Sequence, residues 1–358
     1  MTTGRPIRKL SIFIVLILTS SSFAATFYVG GCHGTGYATI SAAIAAAPAG
    51  SVIAVCPGPY SEQIVINQAL TLVGLSSGGG NGVVITPPVG GLTNSVTRLN
   101  SSTKVWYQIL VENSSGLVNI SGIAIDGTGN NLGLGASLVG LYYRDSPGGK
   151  VSEVSFRNQN CHCPAQGLLA EAQSSTPTLT VINNNVRNVS GGPGMEFAQV
   201  IAGGTPVKIS VQDNVIRNAG QGILVWQATG TIASNEIADV EAGLNLQTTS
   251  LTVKGNILFT SADGIGSFSG SNTISSNRVD AGGQDGIFLG NAGHDIIQFN
   301  TIVNSTTGIE GCGNSVSGDS VSGNTILDAT NGLDLPPSVT LGTNHFYDVT
   351  TTALSCSN

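Results

Sequence analysis

The side chains of this sequence best suited to acid–base chemistry lie in its second half, close to a regular series of glycines. Those that could donate or accept a proton are Glu196, Asp263, Asp285, His294, Asp295, Glu310 and Asp334. Cleavage of a glycosidic bond needs two carboxyl groups about 5–9.5 Å apart, and a histidine beside an aspartate can be an oriented general base. The alternative for each residue is a solvated surface group or, for an Asp in a turn, an acceptor for a backbone N–H.

A second set of side chains suits the binding of sugars, because aromatic rings offer flat apolar faces and amides form hydrogen bonds with hydroxyl groups. The set comprises Tyr142, Trp226, Asn245, Gln247, Phe268 and Phe288. The chain has only 2 Trp residues, so an outward-facing Trp226 would be informative. Long loops that pack over these rings would instead make them part of the interior.

The elements that must position these residues follow from a repeat of asparagine and glycine. Asparagines recur at Asn185, Asn214, Asn235, Asn256, Asn277, Asn300, Asn324 and Asn344. From Asn214 onward they are 20 to 24 residues apart, and each except the last is followed eight or nine residues later by a glycine. Alternating apolar stretches such as "GILV" and "GLNL" follow most of these glycines. Period-2 alternation predicts half-buried strands, and a fixed period of this length predicts a solenoid.

Each repeat is therefore expected to form one coil of three short strands and three turns in an all-β solenoid with a continuous core. Asn tolerates the left-handed conformation of a tight corner, and stacked Asn side chains can form hydrogen bonds from coil to coil. We predict such an asparagine ladder, with structural roles for Asn214, Asn235, Asn256, Asn277, Asn300 and Asn324. A leucine-rich repeat is the alternative; "LTVKGNIL" favours it, and the second apolar strand after each glycine does not.

Alternation along each strand also assigns a direction to every side chain, because successive residues point to opposite faces. The residues expected to point inward are Ile223, Val225, Leu244, Leu246, Ile287, Leu289, Leu333 and Leu335. One outward column then holds Tyr142, Glu196, Leu224, Asn245, Phe288, Glu310 and Asp334, and the next holds Arg144, Trp226, Gln247 and Phe268. Since coils lie about 4.8 Å apart, Glu310 and Asp334 would have the spacing that glycoside hydrolysis needs.

The beginning of the chain has the features of an exported protein. Residues 1–25 start with Arg5, Arg8 and Lys9, continue with a short apolar run and end in "SSSFAA", which is typical of a cleaved signal peptide. We expect residues 26–60 to form a cap and the start of the solenoid, and residues 61–358 to form the solenoid itself. After signal cleavage no stretch is long and apolar enough to cross a membrane.

Two N-terminal stretches, "FYVGGCHGTGYATISAAIAAAPAG" and "PGPYSEQIVINQALTLVG", combine with the Asn–Gly repeat to give a family resemblance. The chain resembles the right-handed parallel β-helix proteins of the pectin-lyase-like superfamily over roughly residues 26–74 and 179–349. The resemblance implies a single right-handed parallel β-helix, a short capping helix over Thr39–Ala47, and a groove along the strands that follow the glycines. Family motifs such as G-x-V-D-F-I-F-G, G-H-G and D-P-H-D do not occur, so no specific enzyme family is indicated.

The six cysteines indicate disulfides, because an exported chain folds in an oxidising compartment. Cys32 with Cys56, and Cys312 with Cys356, are the simplest pairs, one near each end. Cys161 and Cys163 flank His162 and could form a local disulfide or belong to a metal site. A zinc site needs about four ligands with wider spacing, so we predict no metal site.

The charge of the chain restricts its partners. Three of the 13 basic residues lie within the first 25 residues, so the remainder carries 10 basic and 20 acidic residues, a net charge of −10. Nucleic acids and anionic membranes need clustered positive charge and are disfavoured. A polyanionic substrate is also disfavoured unless calcium or a local arginine patch intervenes. No cofactor is predicted, and calcium stays open.

Two classes of function fit these observations. The first is a secreted, periplasmic or cell-surface monomer that binds or modifies an extracellular or cell-wall polysaccharide, and that is a polysaccharide lyase or glycoside hydrolase if it is an enzyme. The second is a non-enzymatic surface or matrix scaffold, or an adhesin. An open groove with converging carboxylates would favour the first class, and a groove filled by loops would favour the second.

Overall fold

The computed structural model describes residues 24–75, 82–99, 101–291, 293–312, 316–354 and 356. The described part contains one helix, α1 (Ile40–Ala46), and strands that are numbered below in chain order. The strands of the first half are β1 (Thr26–Val29), β2 (Ser51–Val55), β3 (Gly58–Ser61), β4 (Ile64–Ile66), β5 (Leu70–Gly74), β6 (Val83–Thr86), β7 (Ser95–Thr97), β8 (Lys104–Glu112), β9 (Val118–Ser121), β10 (Ala124–Asp126), β11 (Leu138–Arg144), β12 (Gly148–Ser152), β13 (Ser155–Gln159), β14 (Ala165–Ala172), β15 (Thr178–Ile182) and β16 (Asn185–Val189). Those of the second half are β17 (Pro193–Gln199), β18 (Val207–Gln212), β19 (Val215–Trp226), β20 (Ala228–Ala233), β21 (Glu236–Gln247), β22 (Ser250–Lys254), β23 (Ile257–Thr260), β24 (Ile265–Phe268), β25 (Thr273–Ser275), β26 (Arg278–Asp280), β27 (Asp285–Gly290), β28 (Ile296–Gln298), β29 (Thr301–Glu310), β30 (Ser320–Ser322), β31 (Thr325–Asp334), β32 (Thr340–Leu341) and β33 (His345–Leu354).

The strands stack as the coils of a single right-handed parallel β-helix, which confirms the predicted fold. A representative coil consists of β22, β23 and β24, and each of these strands pairs in parallel with the equivalent strand of the next coil. The first strands of successive coils form one sheet of 13 strands, and the remaining strands form a second sheet of 20. The second and third strands of several coils run together, as in β21 and β31.

The core of the solenoid consists of the inward-facing apolar residues that strand alternation predicts. Ile223, Leu244, Ile265 and Ile287 lie in register on successive strands and are at most 1% exposed. All the residues predicted to point inward are buried. Burial of this kind stabilises the fold by about 1.5–3 kcal/mol for each large aliphatic side chain, and it fixes the register of every outward residue.

An asparagine ladder runs through the corner after the first strand of each coil from β15 onward. Asn214 donates its backbone N–H and its side-chain amide to Oδ1 of Asn235, at 3.1 and 2.9 Å. The pattern repeats through the coils, and its members are Asn184, Asn214, Asn235, Asn256, Asn277, Asn300, Asn324 and Asn344. The ladder is therefore confirmed for the six predicted residues, and it also includes Asn184 and Asn344. Asn184 occupies the corner, whereas Asn185 begins β16 with its side chain exposed.

Replacing Asn184 by Ala should lower the free energy of unfolding by about 2–4 kcal/mol, because several buried groups would lose their partners. In the wild-type protein, Asn184 Oδ1 accepts the N–H of Val154 at 2.9 Å, and the Asn184 amide donates to the carbonyl of Val151 and to Oδ1 of Asn214. The adjacent Asn185→Ala substitution is the matched control and should change the free energy by less than about 0.5 kcal/mol. Urea unfolding of both variants measures the difference, and equal effects would show that the ladder bonds are not stabilising.

The N-terminal end of the solenoid is covered by α1, as the resemblance implies. The helix begins at Ile40, with Thr39 as its N-cap, and its buried residues face the first coils. The Glu62 carboxylate accepts the backbone N–H groups of Ile40 and Ser41 at 2.8 and 2.9 Å, so it satisfies the free donors of the first turn. The predicted signal peptide, residues 1–25, lies almost wholly outside the described residues. Within the described chain, no helix has the length and apolarity of a membrane span.

A short antiparallel hairpin interrupts the regular coils. Strand β7 pairs with the first residues of β8, at Ser95–Trp106 and Thr97–Lys104. We call residues 95–99 and 101–106 the strap, because Arg98 and Leu99 bind Glu171 on β14, and Arg98 also pairs with Glu196 on β17. Beneath the strap lies a separate apolar cluster that includes Tyr107, Leu110, Val139, Tyr142 and Leu169. The outer face is thus covered at this end.

Candidate functional site

The third strands of the coils present two parallel columns of outward-facing side chains. In the first column Leu224, Asn245, Gly266, Phe288, Glu310 and Asp334 are in register on successive strands. In the second column Ala198, Trp226, Gln247, Phe268 and Gly290 are in register. The columns have the order that strand alternation predicts.

Glu310 and Asp334 occupy neighbouring strands, so their Cα atoms are about 4.8 Å apart across the sheet. The pKa of the Glu310 carboxyl is raised to about 7, chiefly by burial and also by the negative charges of Asp334 and Asp285, while the hydrogen bond from Cys312 N–H opposes the rise. That bond joins Cys312 N to Glu310 Oε1 at 2.9 Å. A carboxyl group with this pKa can carry a proton near neutral pH and then give it to a substrate.

Asp285 extends the group of carboxylates toward the second strand of the coil. The pKa of Asp285 is raised to about 6, chiefly by burial and also by repulsion from Asp263 and Asp334, while a hydrogen bond from Thr307 opposes the rise. Asp285 is in register with Thr307, and the N–H of Gly264 donates to the carbonyl of Asp285, which sets Asp263 beside it. Burial also raises the pKa of Asp263. We call Asp263, Asp285, Glu310 and Asp334 the acidic cluster.

Two phenylalanines lie next to the acidic cluster. The rings of Phe268 and Phe288 have centroids 5.5 Å apart and planes tilted by 45°. Glycines make room for them, since a Cβ atom at Gly266 would lie 2.6 Å from Phe268 Cε2, and one at Gly290 would lie 2.5 Å from Phe268 Cδ1. The Phe268 ring therefore lies along the sheet surface instead of standing away from it. Both rings are partly exposed and form an apolar platform.

Trp226 lies two strands from Phe268 in the same column. Its side chain is 46% exposed and lines a cavity of 220 Å³ with Ala198, Gln199 and Val200. Between the two aromatic residues, Gln247 donates its amide to Asn245 Oδ1 at 3.1 Å. The surface from Trp226 to Asp334 thus combines aromatic rings, amides and carboxylates in the order that the sequence predicts; their binding and catalytic roles remain predictions.

Tyr142 and Glu196 point outward as predicted, but neither lies on the open surface. Both belong to a buried cluster under the strap, which we call the Arg98 cluster. Arg98 contacts Oε1 of Glu171 at 2.6 Å and also pairs with Glu196, while the Tyr142 hydroxyl donates to Glu171. Burial lowers the pKa of the Arg98 guanidinium, but Glu196 and Glu171 outweigh that effect, so its pKa is raised. Because Glu196 is ion-paired and Tyr142 is 0% exposed, neither side chain is available to a ligand on the open face.

Asp295 has a structural environment that the sequence does not reveal. Its carboxylate is buried and accepts the N–H of Asn272 and the hydroxyl of Ser267, both at 2.5 Å. Its own N–H donates to Asp319 at 2.8 Å, so these residues form a second ladder at the turn that precedes the first strand. Burial raises the pKa of Asp295. The neighbouring His294 is exposed, with its ring against Gly318, and the oxygens of Asp295 are engaged elsewhere.

The disulfides include both predicted pairs, Cys32–Cys56 and Cys312–Cys356, and a third pair, Cys161–Cys163. Cys312, Cys356 and Asp334 bring potential metal-ligating atoms within 4.8 Å of one another. The two sulfurs are bonded to each other, so they are not thiolates and this group is not a metal site. The disulfide instead ties the loop after Glu310 to the end of the chain, beside the acidic cluster.

Comparison with known proteins agrees with this architecture. The family model described as periplasmic copper-binding protein (NosD) matches residues 206–354. The chain is a right-handed parallel β-helix protein. The parallel β-helix of this chain is similar to the native GH136 lacto-N-biosidase from Eubacterium ramulus, with a TM-score of 0.64, 12% identity, and coverage of 90% of this chain and 68% of that one.

A second similar structure is the C387A mutant of DFA-IIIase from Arthrobacter chlorophenolicus A6, with a TM-score of 0.51 and 12% identity. The alignment covers 92% of this chain and 85% of that one. No curated protein sequence matches the chain. At these identities the likenesses establish the fold of the β-helix protein, and its chemistry must be argued from its own residues.

Proposed function

We propose that this β-helix protein is a glycoside hydrolase that acts outside the cytoplasm on a neutral polysaccharide or oligosaccharide. The observation that carries the proposal is the pair Glu310 and Asp334, which lie on adjacent strands of the open face and differ in environment. Glycoside hydrolysis needs two carboxyl groups about 5–9.5 Å apart, and a pair on adjacent strands, with Cα atoms about 4.8 Å apart, can supply them. Glycosidase activity on a similar scaffold, the lacto-N-biosidase, is compatible with the proposal.

Glu310 would be the general acid, because a carboxyl with a pKa of about 7 keeps its proton long enough to protonate the leaving oxygen. Asp334 would be the second carboxyl group of the pair, which stabilises positive charge on the sugar ring or activates water. Asp285, with a pKa of about 6, would keep Glu310 protonated through like-charge repulsion. Phe268 and Phe288 would hold the neighbouring sugar by stacking.

The preference for a neutral substrate follows from the charges around the acidic cluster. Strands β24, β27, β29 and β31 carry the aromatic platform and the acidic cluster except Asp263, and they contain no Lys, Arg or His among their described residues. A uronic acid polymer would meet repulsion from Asp285, Glu310 and Asp334 without a compensating cation on these strands. Hydroxyl groups, in contrast, form hydrogen bonds with carboxylates and amides.

Export is part of the proposal. Disulfides persist in oxidising compartments such as the bacterial periplasm and the extracellular space, and the described residues contain three of them. The predicted signal peptide lies almost wholly outside the described residues, so its support is the sequence. Fractionation of cells that produce the full chain tests it, with cleavage after Ala24 or Ala25 as the expected result.

The first experiment is to incubate the protein with neutral and acidic glycans, with and without calcium, and to measure new reducing ends. Release from a neutral glycan alone supports the proposal. Trp226→Ala should then raise KM about 5- to 30-fold with little change in kcat, since stacking on the indole contributes about 1–2 kcal/mol. Release from acidic glycans alone would contradict the neutral-substrate assignment, and release from none would favour the non-enzymatic scaffold or adhesin.

A further inference from the structure

The turn at Cys161–His162–Cys163 has no part in the proposed glycan site. Its disulfide joins residues only 2 apart in sequence, with Cα atoms separated by 5.0 Å, whereas the other two disulfides span separations of 24 and 44 residues. A disulfide stabilises a fold chiefly by restricting the unfolded chain, and the gain grows with the length of the loop. Cys161–Cys163 therefore contributes least to stability, so folding protects it least against reduction.

The turn is held in place by hydrogen bonds that do not depend on the disulfide. Cys161 N–H donates to Ser190 Oγ at 3.2 Å, and Ser190 Oγ lies within hydrogen-bond distance of the carbonyls of Cys161 and Cys163, at 3.1 and 3.0 Å. Ser190 is itself anchored by the bond from its N–H to the carbonyl of Gln159 at 3.0 Å. If the S–S bond opens, the two sulfurs therefore remain adjacent and can rejoin.

Cys161 lines a cavity that opens to the outside. An open cavity of 360 Å³ adjoins the turn, and its lining includes Asn130, Asn131, Leu132, Asn160, Cys161 and His162. Cys161 and Cys163 are partly exposed, and His162 is exposed. Exposed disulfides with weak thermodynamic protection are the labile ones in secreted proteins.

We propose that Cys161–Cys163 is a reversible thiol–disulfide exchange site that accepts electrons from dithiols. One thiolate of the dithiol attacks Sγ of Cys161 from the cavity, and Cys163 leaves as a thiolate. The second thiolate of the dithiol then attacks the dithiol sulfur that is bonded to Cys161, and Cys161 leaves as a thiolate. The dithiol is oxidised by two electrons to its disulfide, and Cys161 and Cys163 take up two electrons and, on protonation, two protons.

The test equilibrates the folded protein with graded ratios of reduced to oxidised dithiothreitol. Acid quenching, alkylation and peptide mass spectrometry then give the reduced fraction of each cysteine pair. The Cys161–Cys163 pair should be half reduced at a ratio of reduced to oxidised dithiothreitol that is at least about 10-fold lower than the ratio that half reduces either of the other pairs, because its loop is shorter. Return to an oxidising ratio should restore the bond. If Cys161–Cys163 is reduced together with, or after, the other pairs, the proposal is overturned.

Cysteine variants separate exchange from a structural role. Cys161→Ser combined with Cys163→Ser should leave the Tm within a degree or two, whereas Cys32→Ser combined with Cys56→Ser should lower it clearly. A large loss of Tm in the first variant would show that the short disulfide is a structural cross-link and would contradict the proposal. Neither measurement depends on glycan hydrolysis.

Discussion

Glu310→Gln should reduce kcat for glycan hydrolysis by about 10²–10⁴-fold, because the amide has the shape of the carboxyl group but cannot donate a proton to the leaving oxygen. KM should change little, since the substitution preserves hydrogen bonding in the ground state. Initial rates on the glycan identified in the polysaccharide screen measure the effect. A substrate with an activated leaving group, which needs no protonation, should recover much of the lost rate.

The pH profile gives an independent check on the role of Glu310. Its raised pKa of about 7 in the free protein means that the protonated, active form is lost as pH rises through this value, so wild-type kcat/KM should fall above about pH 7. The high-pH decline should be absent from the residual activity of Glu310→Gln. Glu241→Gln is the matched control, because Glu241 is exposed on β21. Similar losses in both variants would contradict the assignment of Glu310.

Arg98→Met should lower the free energy of unfolding by about 3–5 kcal/mol, the cost of leaving buried carboxylates without their cation. Glu171 is 1% exposed and Glu196 is 7% exposed, and Arg98 is their common basic partner in the described ion pairs. The strap should also detach from β14, because it is held there by hydrogen bonds from Arg98 and from Leu99 N–H to Glu171, and the substitution removes the first of them. Urea unfolding and limited proteolysis near residues 98–104 measure these effects.

Arg144→Met is the control for Arg98→Met. Arg144 carries the same charge on the same face, but its ion pair with Glu112 is longer, at 3.4 Å, and more exposed. Its loss should cost less than about 1 kcal/mol. Combining Arg98→Met with Glu171→Gln and Glu196→Gln should recover part of the stability. If Arg98→Met costs no more than Arg144→Met, the Arg98 cluster is not the anchor of the strap.

The sequence determined the coil, the ladder and the facing of the third strands, because each depends on a local and periodic rule. Strand alternation placed Phe288, Glu310 and Asp334 in one column, and the observed registers agree. The repeat aligned Asn185 with the later asparagines, whereas the ladder member is its neighbour Asn184, in a run of three asparagines from Asn183 to Asn185. Alternation cannot decide which of three adjacent asparagines lies at a corner.

The tertiary structure decided which outward residues are accessible. Arg98 lies 73 residues from Glu171 and 98 residues from Glu196 in the sequence, in an irregular segment without a motif, so no local signal joins it to either acid. That long-range contact covers Tyr142 and Glu196 and leaves the surface from Trp226 to Asp334 open. Likewise, the pKa of Glu310 depends on burial and on the charges of neighbouring coils. Periodicity fixes where a side chain points, whereas exposure and charge depend on what the folded chain brings next to it.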